Sequence, residues 1–541
     1  MLFAAYELLE RLGARFVGPG YLGEVLPRCD PSDIFKVQAS HRASYRHRGV
    51  CIEGAPSIDH CLSMIDWMAK RKMNTFFLQF KTSLYFWRNY YSREYNPRFG
   101  KPEQIDVEKS MELDDRVIEA LKLRGMVLHK VGHGWTAEAI GFAGLGWYKA
   151  EREPDEKTRH LLALVSGKRE FHGGIPINTE LCYSNPEAFE RVVGEVVRYA
   201  EEHPEVDCLH FWLSDSTNNF CECPSCKRLG PSDWYVRLVR EAARRIAERG
   251  LKTRLVFLCY SNTLTAPKSE RFGDEKNRLL FMFAPISRCY AHGLNDPSCK
   301  GSGEAGGWAY NQISPPRTNM EYVQIREAWH EVFDGDGFVF DYYLWMPYHR
   351  ELNPIGFARL INKDVAALSA LKLNGLVSCQ TLRAFYPTGL LMESMARTLW
   401  DSETDLEQIV GGYLSACFGR SYRLVRSYLE ELDRVLTLPQ GHSGALRAED
   451  AKAAQEVLDF AERSIASLDS AQAENPTEKR FLDLMRHFNK LISLKARVVV
   501  LAASADTKRA EEAKEQARSF LCETEELTHP YLDTWLELRA V

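Results

Sequence analysis

The sequence predicts a (β/α)8 barrel (a TIM barrel of the α/β class) with a partial α/β segment before it and a helical domain after it. Three observations carry this. Between residues 45 and 400, short apolar runs alternate eight times with stretches of helical spacing. Several of these runs stop on or next to a polar residue, as strands do where they reach the mouth of a barrel. From residue 402 to 541 there is no convincing strand, and long 3.6-period stretches such as 449–468 and 474–503 take over. The expected units are residues 1–40, 41–401 and 402–541. A doubly wound open sheet is the competing arrangement.

In chain order, residues 2–13 have an amphipathic helix pattern that leads into Arg15-Phe-Val-Gly-Pro-Gly, a short strand and turn, with Pro27 and Pro31 marking a linker. The first barrel strand is Tyr45–Glu53, followed by the helix 58–72. The second is Asn74–Phe80 and the third Gly125–Val131, which runs into Gly132-His133-Gly134-Trp135. The fourth begins at Cys208 and ends on Asp215. A strongly helical stretch, 233–249, precedes the fifth, Thr253–Tyr260. Leu279–Pro285, Gly337–Leu344 and Gly375–Gln380 complete the set. The glycine-rich run Gly301–Gly307 follows no strand and reads as a flexible loop.

At 541 residues the chain is too long for one ordinary domain. Its 45% apolar and 26% charged residues are those of a globular protein, and a net charge of −5 argues against general nucleic-acid binding. No apolar run reaches the length of a membrane span. The opening residues lack the basic region and cleavage site of a secretory leader, and the 14 cysteines form no disulfide framework. A reducing, cytoplasmic setting is therefore expected for the chain as written. It begins directly inside a helix, however, which suggests a trimmed start and leaves an exported parent protein open. The sequence says nothing of oligomeric state.

The chemistry is expected at the strand ends. Glycoside hydrolysis usually needs two carboxyl groups, one to protonate the leaving oxygen and one to support the oxocarbenium-like centre. Asp215, Glu53 and Asp341 are the candidates. Asp215 has the best context, because Asn218 and Asn219 follow it; the bland reading is an Asx turn. Glu53 could instead partner Arg48, and Asp341 could point into a barrel layer. His133, Trp135, Asn218, Tyr260, Arg288, Tyr343 and Gln380 are candidate substrate contacts. The aromatic residues Trp87, Trp135, Trp212, Trp345 and Tyr343 could stack on sugars or simply fill the core. Cys221, Cys223 and Cys226 have metal-ligand spacing and suit a structural zinc ion, with Cys289, His292 or Cys299 as the fourth ligand; free thiols or a disulfide are the alternatives. No nucleophilic-serine motif and no phosphate-binding glycine loop of the P-loop type is present.

The segments Tyr6-Glu-Leu-Leu-Glu-Arg-Leu-Gly-Ala-Arg-Phe-Val-Gly-Pro-Gly, Ile65-Asp-Trp-Met-Ala-Lys, Leu181-Cys-Tyr-Ser-Asn-Pro186, Asp215-Ser-Thr-Asn-Asn-Phe-Cys-Glu-Cys and Arg288-Cys-Tyr-Ala-His resemble the bacterial domain-of-unknown-function family 4838. That family resembles glycoside hydrolases of families 20 and 67, and some relatives are grouped as family 163. The resemblance implies a TIM barrel, a helical tail and endo-β-N-acetylglucosaminidase-like activity without a catalytic cofactor. Arg48, Gly49 and Glu53 loosely match the first strand of family 20, and Gly132-His133 matches its third. Its fourth strand carries an Asp-Glu pair, where this chain has Asp215-Ser216. The second acid is missing, so either Asp215 is itself the acid or another strand supplies it. An α-glucuronidase-like hydrolase, or a catalytically silent carbohydrate-binding protein, are the rival expectations.

Overall fold

The computed structural model describes residues 2–301, 306–351, 353–436, 448–504 and 506–541. Residues 302–305 of the glycine-rich run lie outside them. Eight parallel strands close into a barrel: β1 (His47–Cys51), β2 (Thr75–Gln79), β3 (Val127–Gly132), β4 (Cys208–Phe211), β5 (Arg254–Cys259), β6 (Leu279–Phe283), β7 (Gly337–Asp341) and β8 (Gly375–Cys379). They follow chain order around the ring, and β8 pairs with β1 from Gly375↔His47 to Cys379↔Cys51. Closure excludes the open sheet. It also brings the ends of β1 and β8 together, so that Glu53 and Gln380 leave the wall side by side.

The strands read as near-continuous apolar runs because both of their faces are covered, by helices outside and by side chains inside. The interior is filled, not hollow. Phe77 stacks on His210 with centroids 4.0 Å apart and meets Trp212 edge-on. His129 Nδ1 lies 2.8 Å from His210 Nε2, and burial drives both imidazoles well below the usual histidine pKa, leaving them neutral. Gly132, at the end of β3, has φ 86°, and a Cβ there would come within 2.9 Å of the Trp212 ring. Glycine is what lets Trp212 seat over the core.

Outside the barrel, Arg15–Phe16 pairs with Glu24–Val25 as a two-stranded ribbon. It is pinned by Trp67 Nε1, which donates to the Phe16 carbonyl at 2.9 Å, and by Tyr413 Oη, which donates to the Val17 carbonyl at 2.7 Å. Among the described residues beyond 402 there are helices and no strands, including Ala448–Ser470 and Pro476–Ala503. One buried apolar cluster runs through the whole, from Ala14 to Leu538. No helix among the described residues is long and apolar enough to cross a membrane.

The last residues return to the barrel mouth. Asp533 forms an ion pair with Arg383 at 3.1 Å, both about 1% exposed, and accepts from the Ala55 backbone N–H at 2.8 Å. Gly54 makes this approach possible: its φ is 80°, and a Cβ would lie 2.2 Å from Asp533 Oδ2. His349 and Lys495 bind Glu537 in the same way, at 2.6 and 2.8 Å. Removing one member of a buried pair strands the other charge. Asp533→Ala is therefore expected to cost about 3–5 kcal/mol of unfolding free energy in chemical denaturation, whereas a change at exposed Glu523 should leave stability almost unchanged.

Candidate active site

Two carboxyl groups share the mouth. Glu53 lies two residues beyond β1, where Gln79 Nε2 at the end of β2 donates to its Oε1 at 2.6 Å and Cys379 Sγ at the end of β8 lies 3.8 Å away. Arg48, its alternative partner, turns instead to the carbonyls of Tyr45 and Lys72. Glu53 keeps a small exposed edge, yet its surroundings exclude water. This desolvation, with a smaller contribution from the charge of Asp215 and against the hydrogen bonds from Gln79 and Gly54, raises its carboxyl from 4.5 to about 7.

Asp215 lies beyond β4 with its side chain 20% exposed. It does not cap its own loop. Trp147 Nε1 donates to Oδ2 at 2.8 Å, Tyr260 Oη donates to Oδ1 at 3.3 Å, and His133 Nε2 stands 3.5 Å from Oδ1. His133 is itself held by a contact between its Nδ1 and the Leu213 carbonyl, at 2.9 Å. The carboxylate position is also set from below, because the Asp215 N–H donates to the Ile177 carbonyl at 3.0 Å. Burial and the neighbouring Asp215 charge push the Tyr260 hydroxyl up, so it remains a donor. Around this pair stand Trp147 and Tyr85, edge to face at 5.1 Å, with the more exposed Tyr148 beyond. Tyr342 stands near enough to Asp215 to sense its charge, and Trp345 packs at 6.2 Å from it.

The other sequence candidates fall elsewhere. Asp341 ends β7, but it is fully enclosed: Arg288 Nη1 binds it at 3.0 Å, and the Tyr290 hydroxyl and its own neighbour's N–H complete its shell. Arg288 is equally enclosed, holding Asp364 at 2.7 Å with its other nitrogen, and Tyr343 also donates to Asp364. The expectation that Asp341, Arg288 and Tyr343 face the substrate is corrected by this closed ion cluster. A strand end is not the mouth when a neighbouring loop covers it. Gln380 is fully buried and donates to the Thr381 carbonyl and to Met392 Sδ. Trp135 is buried with its Nε1 on the His210 carbonyl, and Trp87 on Asp114, so both are core. Asn218 joins loops through Asn262 and Ile313. Gln79, Trp147, Tyr342 and Cys379 were missed. Three of them adjoin strand ends and could have been read from that placement, but Trp147 comes from the long loop after β3 and carried no signal.

A cysteine cluster lies on the loop after β4. Cys221, Cys223 and Cys226 converge as their spacing suggests, but the fourth member is Cys182, and the four sulfurs lie within 4.8 Å of one another. Cys289, His292 and Cys299, the expected sources of the fourth ligand, form a separate group of three.

Comparison with curated proteins finds no match. Among solved structures, the chain is similar to a glycoside hydrolase family 138 enzyme targeting pectin rhamnogalacturonan II, at 10% identity and a TM-score of 0.46, covering 92% of this chain and 64% of that one. The chain thus spans less than two thirds of that protein's length. It is also similar to the Thermobaculum terrenum O-GlcNAc hydrolase, at 10% identity, TM-score 0.41 and coverage of 92% and 94%. A third likeness is to the Flavobacterium johnsoniae chitobiase, at 12% identity, TM-score 0.40 and coverage of 92% and 78%. One family model, described as Domain of unknown function (DUF4838), matches residues 85–430, and the chain belongs to that family.

Proposed function

We propose that this chain is a glycoside hydrolase acting on N-acetylhexosamine-containing glycans, with Glu53 as proton donor and Asp215 as the opposing carboxylate. The observation that carries the reading is the pairing of these two groups at the barrel mouth. Each is held by its own hydrogen-bond donors, Asp215 is close enough for its charge to act on Glu53, and aromatic rings stand alongside. A glycosidase divides the work in this way: one carboxyl keeps its proton for the leaving oxygen, and the other meets the positive charge that develops on the sugar. The environment of Glu53 suits the first task at neutral pH. Asp215, clasped by Trp147 and Tyr260, suits the second. The acid that Ser216 does not provide would thus come from β1. The half-exposed faces of Trp147, Tyr85 and Tyr148 would receive a sugar ring. No cofactor takes part in this reaction, and the partner is an oligosaccharide or glycan.

The endo-β-N-acetylglucosaminidase-like specificity rests on the sequence resemblance to family 163. The α-glucuronidase-like alternative would need a cation for the uronate, for which Arg288 and His133 are the candidates; Arg288 is enclosed by Asp341 and Asp364, whereas His133 stands beside Asp215. A panel of defined N-glycans, aryl β-N-acetylglucosaminides and glucuronosides separates the readings. Release of N-acetylglucosamine-terminated products supports the proposal, release of glucuronic acid supports the alternative, and binding without turnover supports a silent lectin.

On the accepted substrate, Glu53→Gln is expected to lower kcat by about 10²–10⁴-fold, and Asp215→Asn to lower it severely as well. Full activity in either variant would contradict the assignment. Because the donor must be protonated, kcat/KM should fall as pH rises through about 7, and that limb should vanish in Glu53→Gln.

Stability gives an independent check. The unfolded chain releases the Glu53 proton near 4.5 and the folded one near 7, so between these values the folded state holds more protons and stability falls as pH rises. A shift from 4.5 to about 7 corresponds to roughly 3 kcal/mol. Glu53→Gln should therefore gain roughly 2–3 kcal/mol over the parent at pH 8 and little at pH 4, measured by denaturant unfolding at both.

A further inference from the structure

We propose that Cys182, Cys221, Cys223 and Cys226 bind one zinc ion that fastens the loop after β4, which carries Asp215, to the loop that precedes the helix Pro186–Glu202. Cys182 Sγ lies 3.7 Å from Cys223 Sγ and 3.8 Å from Cys226 Sγ. Four sulfurs about 2.3 Å from a tetrahedral metal stand about 3.8 Å from one another, so the cage has the size of a single ion. It is too wide for a disulfide, whose sulfurs are about 2.05 Å apart. All four are free thiols, three buried and Cys223 partly so.

The surroundings fit thiolates. Backbone N–H groups of Leu164, Ser184 and Cys226 donate to Cys221, Cys226 and Cys223 at 3.3, 3.4 and 3.4 Å. The guanidinium of Arg169 stands 4.0 Å from Cys182 Sγ. These donors and the cation offset the negative charge that four thiolates retain around a divalent ion, and they hold the sulfurs in place, as outer-shell groups do around metal sites. The cluster also stands apart from the main apolar core, with Ala163, Leu164 and Val165 packed on it.

The loops also meet where Glu222 N–H donates to the Leu164 carbonyl, Ser166 N–H donates to Glu222 Oε2, and Asn219 Nδ2 donates to the Asn178 carbonyl at 2.6 Å. With Asp215 N–H on Ile177, these contacts make the ion a positioning device for the Asp215 loop. The inference is independent of what Asp215 does.

The test is metal analysis of the full chain purified under reducing conditions without added chelator. One equivalent of zinc is expected to disappear in Cys182→Ser and in Cys226→Ser, and to remain in Cys299→Ser, which alters only the neighbouring group of three. Wild-type protein keeps the question decidable if the variants fold poorly. Four of the 14 cysteines should resist alkylation until a zinc chelator is added, and cobalt exchange should give the thiolate charge-transfer absorption of a tetrahedral four-sulfur site. Zinc-free wild type whose four cysteines alkylate without chelator, a disulfide involving Cys182, or iron in place of zinc would overturn the proposal.

Discussion

The desolvation of one carboxyl group governs the site. Glu53 is placed where water is largely excluded, where β1, β2 and β8 end together and where the charge of Asp215 acts on it. The barrel register sets this arrangement, because the pairing of Cys379 with Cys51 aligns β8 with β1 and leaves Cys379 Sγ against the Glu53 carboxyl. Desolvated and beside the Asp215 charge, Glu53 holds its proton to near neutral pH. The same enclosure that costs stability as pH rises from about 4.5 to 7 keeps a proton available for chemistry, as active-site carboxyls in apolar pockets do.

The enclosure is built from distant parts of the chain. Gly54 has no side chain and a left-handed backbone, which allows Asp533 to reach the Ala55 N–H and Arg383 beside the first strand end. The helical segment is thus part of the wall of the mouth, held by buried ion pairs whose strength depends on both members being present. On the other side, the loop after β3 supplies Trp147, and the cysteine cluster ties the loop of Asp215 to its neighbour. Each carboxyl therefore follows a strand end but is held in place by groups from far along the sequence.

This division explains what could be read from the sequence. The eight strands were legible because parallel barrel strands, covered on both faces, read as apolar runs of nearly uniform character. Glu53, His133, Asp215 and Tyr260 were legible as polar residues where such runs end, and the structure brings these four to one mouth. Asp341 had the same signature, but whether a strand end is open depends on the covering loop. Here Arg288, from the loop after β6, and Asp364, from a helix, seal it. Trp147 lies in a stretch without periodicity, so nothing local marked it. Cys182 is an isolated cysteine far before Cys221, and only the folded path of the two loops joins them.

The measurement that tests the account most directly is a titration of the Glu53 carboxyl itself, by difference infrared spectroscopy of the parent protein against Glu53→Gln. The account predicts a protonated carboxyl band that disappears with a midpoint near pH 7. A midpoint near 4.5, the value of an ordinary glutamate, would contradict it.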